Sequence, residues 1–177
     1  MMEKNKLAEA MVEAAYVTGT FRLRSGRTAD HYFDKFQFES DPKLLSAIAE
    51  QLAAMIPAGT EVLAGLELGG VPIAAALSLR TGLPAAFVRK AAKDYGTCKL
   101  AEGAAVQGKN VCIIEDVVTT GGQILLSRSD LAALGAEVKH VLCVIERDLQ
   151  GRINLGNEGL ELRSLFRMEE LPLPNAR

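Results

Sequence analysis

Two short runs, "VCII" at 111–114 and "VLCVI" at 141–145, constrain the fold more than any other feature of the chain. Both are continuously apolar and bounded by charged or polar residues. Unbroken apolar character over so few residues marks strands covered on both faces, the condition of a parallel sheet. "EVLAGLE" at 61–67 and "AAFVRK" at 85–90 read as further strands. Helix signals lie between them. Asp41 is placed to cap a helix that begins at Pro42, with Leu44, Leu45, Ile48, Leu52, Met55 and Ile56 recurring at helical spacing. "VPIAAALSLRTG" is a helix closed by Gly82, and another spans 122–134 and ends at Gly135. Strands alternating with helix-length segments predict an α/β fold: a mostly parallel central sheet, right-handed crossovers and helices on both faces. The first forty residues and the chain beyond Gly151 are less regular and are expected to form a small cap beside the sheet.

A chain of 177 residues fits one domain with a sizeable core, so residues 1–177 are read as a single unit. The hydrophobic fraction of 49% and mean hydropathy of +0.13 are those of a globular protein. Charge or glycine interrupts every apolar stretch well short of the roughly 18 residues a membrane-spanning helix needs. "MMEKNKLAEAMVEAAY" lacks the apolar centre of a secretory peptide. A formal charge of -2 and a pI of 5.8 argue against a general nucleic-acid surface. The three cysteines, Cys98, Cys112 and Cys143, are widely spaced, with no CxxC metal motif. Cys112 and Cys143 sit in apolar runs as small core residues, and the compartment reads as cytoplasmic. Neither His31 nor His140 is assigned a catalytic role.

The stretch "NVCIIEDVVTTGGQ" at 110–123 carries the chemistry. It places two adjacent carboxylates, Glu115 and Asp116, at the end of an apolar strand, where burial costs free energy unless something compensates it. In open parallel sheets, ligands bind outside the carboxyl ends of the strands. A glycine-rich turn from strand to helix offers main-chain N–H groups to an anion, and the helix N-terminus favours negative charge. Thr119 and Thr120 add hydroxyl donors, while the carboxylates can accept hydrogen bonds from sugar hydroxyls. Together these features describe a site for a phosphorylated ribose. The spacings of a Walker loop and of a dinucleotide fingerprint are absent. A second segment, "FVRKAAKDYGTCKLAEG" at 87–103, gathers Arg89, Lys90, Lys93 and Lys99 around Gly96 and Thr97. A long cationic connection between strands suits a lid over a charged leaving group.

"VCIIEDVVTTGGQ" resembles the ribose-phosphate fingerprint of type I phosphoribosyltransferases. "VRKAAKDYGT" is similar to the catalytic loop of the orotate phosphoribosyltransferases within them, and "FRLRSGRTADHYFD" at 21–34 resembles the N-terminal segment of that same family. The resemblance covers about residues 20 to 151 in matching order and implies the type I phosphoribosyltransferase fold, with a small hood from the N-terminal and C-terminal segments. It further implies transfer of the 5-phosphoribosyl group of 5-phosphoribosyl 1-diphosphate to orotate, giving orotidine 5′-monophosphate and diphosphate in pyrimidine biosynthesis. Glu115 and Asp116 would hold the ribose hydroxyls, and Val117, Val118, Thr119, Thr120, Gly121, Gly122 and Gln123 would cradle the 5′-phosphate. Arg89, Lys90, Lys93 and Tyr95 would attend the diphosphate. Arg24, Tyr32, Phe33, Thr119 and Arg147 would hold orotate. Lys93 and Asp116 are the implied catalytic residues. Mg²⁺ is the implied cofactor, bound mainly through substrate oxygens rather than by a protein cage. The family also implies a homodimer whose lid reaches the neighbouring subunit's site.

The chain departs from the family at two points. Some members have a histidine where this chain has Tyr95, whose phenol can donate a hydrogen bond but is not cationic near neutral pH. Some have a lysine where "LELGGVP" has Gly69. Two other readings remain open on sequence: a phosphoribosyltransferase for a different base, including a paralogue of shifted specificity, and a non-catalytic sensor of phosphoribosyl diphosphate. The lid and "SGR" segments weigh against the first, and the acidic pI and loop lysines against the second.

Overall fold

The structure is a computed structural model that describes residues 2–22, 26, 28–91 and 99–174. The buried runs do become strands: β3 (Val62–Leu66), β4 (Ala85–Val88), β6 (Asn110–Val118) and β7 (Glu137–Glu146). Each pairs with its neighbour in parallel, and all five residues of β3 are buried. Two more strands, β5 (Ala101–Gly103) and β8 (Glu161–Arg167), complete the sheet, whose order is β5-β4-β3-β6-β7-β8. Only β5 runs antiparallel, at one edge, within the polar segment that the sequence pattern left without regular structure.

The two-residue period of each strand divides the core. Leu63, Cys112, Ile114, Leu142 and Val144 face one side, beneath α1 (Lys4–Ala15), α3 (Pro42–Ala53) and α4 (Gly70–Thr81). Val62, Ala64, Val111, Ile113, Val141 and Cys143 face the other, against α5 (Gly122–Ala133) and α6 (Leu149–Asn157). The helix boundaries follow the sequence signals. Asp41 accepts from the Lys43 and Leu44 N–H groups ahead of Pro42, and Gly82 closes α4 in a left-handed conformation.

The segments expected to form the cap behave differently. β1 (Tyr16–Arg22) and β2 (Thr28–Phe33) pair antiparallel as a separate two-stranded sheet, followed by α2 (Lys35–Ser40). At its end, the chain beyond Gly151 meets the N-terminal helix, with Glu170 3.9 Å from the Lys4 ammonium and Leu171 in one core with Leu7. It finishes α6 and adds β8 to the edge of the central sheet, parallel to β7. The place of β8 has a physical cause: Leu162, Leu165 and Phe166 need a buried face, and the edge of the sheet at β7 supplies one. Among the described residues no helix is long and apolar enough to cross a membrane. Cys112 and Cys143 are buried free thiols, and Cys98 lies outside the described residues.

Candidate active site

Glu115 and Asp116 occupy the carboxyl end of β6, the central strand that lies between β3 and β7. As neighbours in a strand they project to opposite faces. Glu115 is half-buried and Asp116 fully buried. Glu115 Oε1 accepts the Asp116 N–H at 3.1 Å, and Asp116 Oδ1 accepts the Val117 N–H. The compensation that two buried acids require comes from α2. The Lys35 ammonium forms an ion pair with Asp116 Oδ2, without the angular geometry of a hydrogen bond. Glu39, from the same helix, is also buried, and neither of its oxygens has a hydrogen bond.

The cluster divides its charge unequally. Burial works against ionising Asp116, yet Glu115, the Lys35 ammonium and the Val117 N–H outweigh it, and the Asp116 pKa lies below its ordinary value. Burial, followed by the influence of Asp116, pushes Glu115 up. Glu39 rises for the same two reasons. Asp116 is therefore the member of the cluster most favoured to ionise, and burial beside it disfavours the charged form of its two neighbours.

The loop after β6 is shaped from behind by α6. Gly121 adopts φ 77°, a left-handed conformation that turns the chain into α5. Asn154 Nδ2 donates to the Thr120 carbonyl at 2.9 Å. A Cβ on Gly151 would stand 2.3 Å from the Thr119 carbonyl oxygen, so α6 lies directly against the loop. Thr119 and Thr120 are left exposed, as are Gly122 and Gln123. Arg147 follows β7 beside this loop. Its N–H donates to the Val118 carbonyl at 2.8 Å, and its side chain is exposed. The acids, the Thr-Gly loop and Arg147 thus converge at the ends of two adjacent strands.

Arg89 and Lys90 sit at the end of β4, on the far side of β3. The Arg89 N–H donates to the Leu100 carbonyl at 2.9 Å, and the Lys90 N–H donates to Glu67 Oε2 at 3.1 Å. Lys93, Tyr95 and Arg24 lie outside the described residues. The aromatic pair of β2 is split. Tyr32 is exposed, its ring 5.6 Å from that of Phe21, whereas Phe33 leans toward buried Phe38 at 6.2 Å and packs against the core. His31 stacks on Tyr16 and contacts Asp30, and His140 lies 3.5 Å from Glu161, both apart from the acid cluster.

Sequence reasoning passed over Lys35, Glu39, Gly151 and Asn154. The first two had a weak signal: a lysine and a glutamate four residues apart fall on one face of a helix. The glycine and asparagine of α6 had none, because their role depends on a contact between segments distant in sequence.

Residues 37–153 match the family model described as the phosphoribosyl transferase domain. An orotate phosphoribosyltransferase of Nocardioides sp. is 52% identical over 155 residues, covering 88% of this chain and 87% of the relative. One from Methanocella arvoryzae is 45% identical over 153 residues, with 86% and 87% covered. Among solved structures, the orotate phosphoribosyltransferase of Mycobacterium tuberculosis in complex with 5-phospho-α-D-ribosyl 1-diphosphate superimposes with a TM-score of 0.81. It is 29% identical, with 96% of this chain and 99% of that one covered. The parallel sheet, the acid pair ahead of its Thr-Gly loop and these relatives agree: the chain belongs to the orotate phosphoribosyltransferase family, within the phosphoribosyltransferases.

Proposed function

We propose that the carboxyl edge of β6 and β7 is where this chain joins orotate to 5-phosphoribosyl 1-diphosphate, releasing diphosphate and forming orotidine 5′-monophosphate. The observation that carries this reading is the convergence there of the acid pair, the left-handed Gly121 turn and Arg147. Glu115 and Asp116 accept the ribose hydroxyls. Residues 117–123 surround the 5′-phosphate with N–H groups and the Thr119 and Thr120 hydroxyls. Arg147 offers a guanidinium fork to the orotate carboxylate, a pairing that is bidentate when geometry allows. Thr119, Tyr32 and Arg24 complete the base site, with Phe33 packing behind them. Arg89, Lys90 and Lys93 neutralise the departing diphosphate, and the Tyr95 phenol donates a hydrogen bond to it. The M. tuberculosis relative that binds phosphoribosyl diphosphate supports the substrate assignment.

In this reading catalysis is positioning and charge stabilisation: the loop and acids fix the ribose, Arg147 fixes the attacking base, and the lid cations stabilise the leaving charge. Mg²⁺ is the proposed cofactor. Among the described residues no three His, Cys, Asp or Glu side chains are grouped to hold a metal. The donors present suit an ion that keeps its waters and takes its other ligands from substrate oxygens. The ion would supply charge neutralisation at the diphosphate.

The test offers the purified protein phosphoribosyl diphosphate and Mg²⁺ with orotate, uracil, adenine, hypoxanthine or xanthine in turn. Ultraviolet absorbance should show orotate consumed, none of the others turned over comparably, and no turnover when Mg²⁺ is chelated. Binding of phosphoribosyl diphosphate with no base consumed would instead identify a sensor. We further place the enzyme in the cytoplasm as a homodimer whose lid serves the partner's site. Lys93→Ala and Asp116→Asn proteins, each nearly inactive alone, should recover part of the activity once mixed and shown to have exchanged subunits. No recovery after verified exchange means each site is built from one chain.

A further inference from the structure

Lys35 and Glu39 both face β6 from α2, and they meet Asp116 in different ways. Glu39 is 5% exposed and lies beside Asp116, where burial and the Asp116 carboxylate both oppose its charged form, so it brings no positive charge to the cluster. Asp34, the residue that caps α2, adds another negative charge that acts on Glu39. The balancing group is the Lys35 ammonium. Its side chain, 34% exposed, reaches inward from the surface to Asp116, and Asp116 is 0% exposed beneath it. Ribose hydroxyls therefore reach this carboxylate only when the ammonium moves aside. They also need it ionised, since a protonated carboxyl has lost part of its capacity to accept hydrogen bonds.

We propose that Lys35 is a positioning residue for phosphoribosyl transfer: its ammonium keeps Asp116 charged and oriented in the empty site and yields its place to the ribose hydroxyls of the incoming substrate. The proposal rests on Asp116 being a ribose ligand. The groups that act on Asp116 are Glu39 and Lys35, which face it from α2, and Glu115, its neighbour along β6, and the lysine is the cation among them. Removing that cation raises the Asp116 pKa. The ionised fraction then falls at low pH and returns as pH rises, and the acid limb of kcat/KM for phosphoribosyl diphosphate, which reports the free enzyme, moves upward.

The experiment measures kcat/KM for phosphoribosyl diphosphate between pH 6 and pH 8.5 in wild type, Lys35→Met, Lys35→Arg and Asp116→Asn, with a thermal unfolding curve for each. Lys35→Met should lose about tenfold at the acid end, because without the ammonium burial dominates and carries the Asp116 carboxyl well up toward its neighbours Glu115 and Glu39, and come within about threefold of wild type at the alkaline end. Lys35→Arg, which restores the charge, should keep the wild-type profile. If Lys35→Met does not fold, Lys35→Gln takes its place. A loss equal at every pH, an unmoved profile, or a shift in Lys35→Arg as large as in Lys35→Met would overturn the proposal and leave a structural ion pair. Full activity in Asp116→Asn would instead overturn the assignment of Asp116 to the ribose, a different failure with its own signature.

Discussion

Gly69→Ala should lower phosphoribosyl transfer by about a hundredfold, the cost of displacing a substrate-positioning group by an ångström or more. Gly69 has φ −67° and ψ −30°, a conformation any residue adopts, so the backbone accepts alanine without strain. The space does not. A Cβ at this position would fall 1.6 Å from Asp116 Oδ2 and 2.4 Å from its Cγ. Asp116 is fully buried and held by Lys35 and by the Val117 N–H, so the methyl group displaces the carboxylate that this reading assigns to the ribose. The loss should appear in kcat/KM for phosphoribosyl diphosphate, while the unfolding temperature stays within a few degrees of wild type. Unchanged transfer would show that Asp116 has a second working position. The same geometry explains a departure from the family pattern. Any side chain in place of Gly69, a lysine included, is incompatible with Asp116 where it lies here.

What could be read from the sequence follows the range of the forces involved. The Asp41 cap, the Pro42 start and the Gly82 stop are local, each decided within a few residues: α3 begins and α4 ends where those signals lie, whereas α3 stops at Ala53, short of the periodic Met55 and Ile56. The buried strands β3, β6 and β7 were equally legible, because burial on both faces leaves an unbroken apolar run. β5 was not. It has three residues, two of them half-buried, and its existence depends on the edge of β4. β8 mixes charge with apolar residues in no clean period, and only the open edge of β7 makes it a strand.

The site divides in the same way. "EDVVTTGG" is contiguous, so the order of acids, loop and helix start was visible as a string. The partner of Asp116 was not, since Lys35 reaches it from a separate helix that follows β2. In "HYFD" consecutive residues of β2 face opposite ways, which sends Tyr32 outward and Phe33 toward the core. A buried carboxylate demands compensation, and the sequence posed that demand without naming the residue that meets it.

The second large effect is on stability and separates two glycines that a propensity scale treats alike. Gly70→Ala should destabilise the protein by about 3 kcal/mol, at the upper end for overpacking. A Cβ there would lie 2.2 Å from the Ile114 carbonyl oxygen, which is main chain of the central strand and cannot rotate away. Gly65 mirrors it from β3, where a Cβ would meet the Gly70 carbonyl oxygen at 2.5 Å and Ala74 Cβ at 2.8 Å. The two glycines let α4 lie directly on the sheet, and that contact sets the height of the Gly69 turn over Asp116. For a chain of this length the loss corresponds to roughly 6–12 °C in unfolding temperature. Gly156→Ala, inside α6, should do the reverse: nothing lies within 4 Å of its Cβ, and alanine is the better helix former by about 0.5–1 kcal/mol. Calorimetry on the two variants reads both signs at once. If Gly70→Ala unfolds within a degree of wild type, α4 does not rest on β6 as described, and the Gly69 turn loses its support over the acid pair.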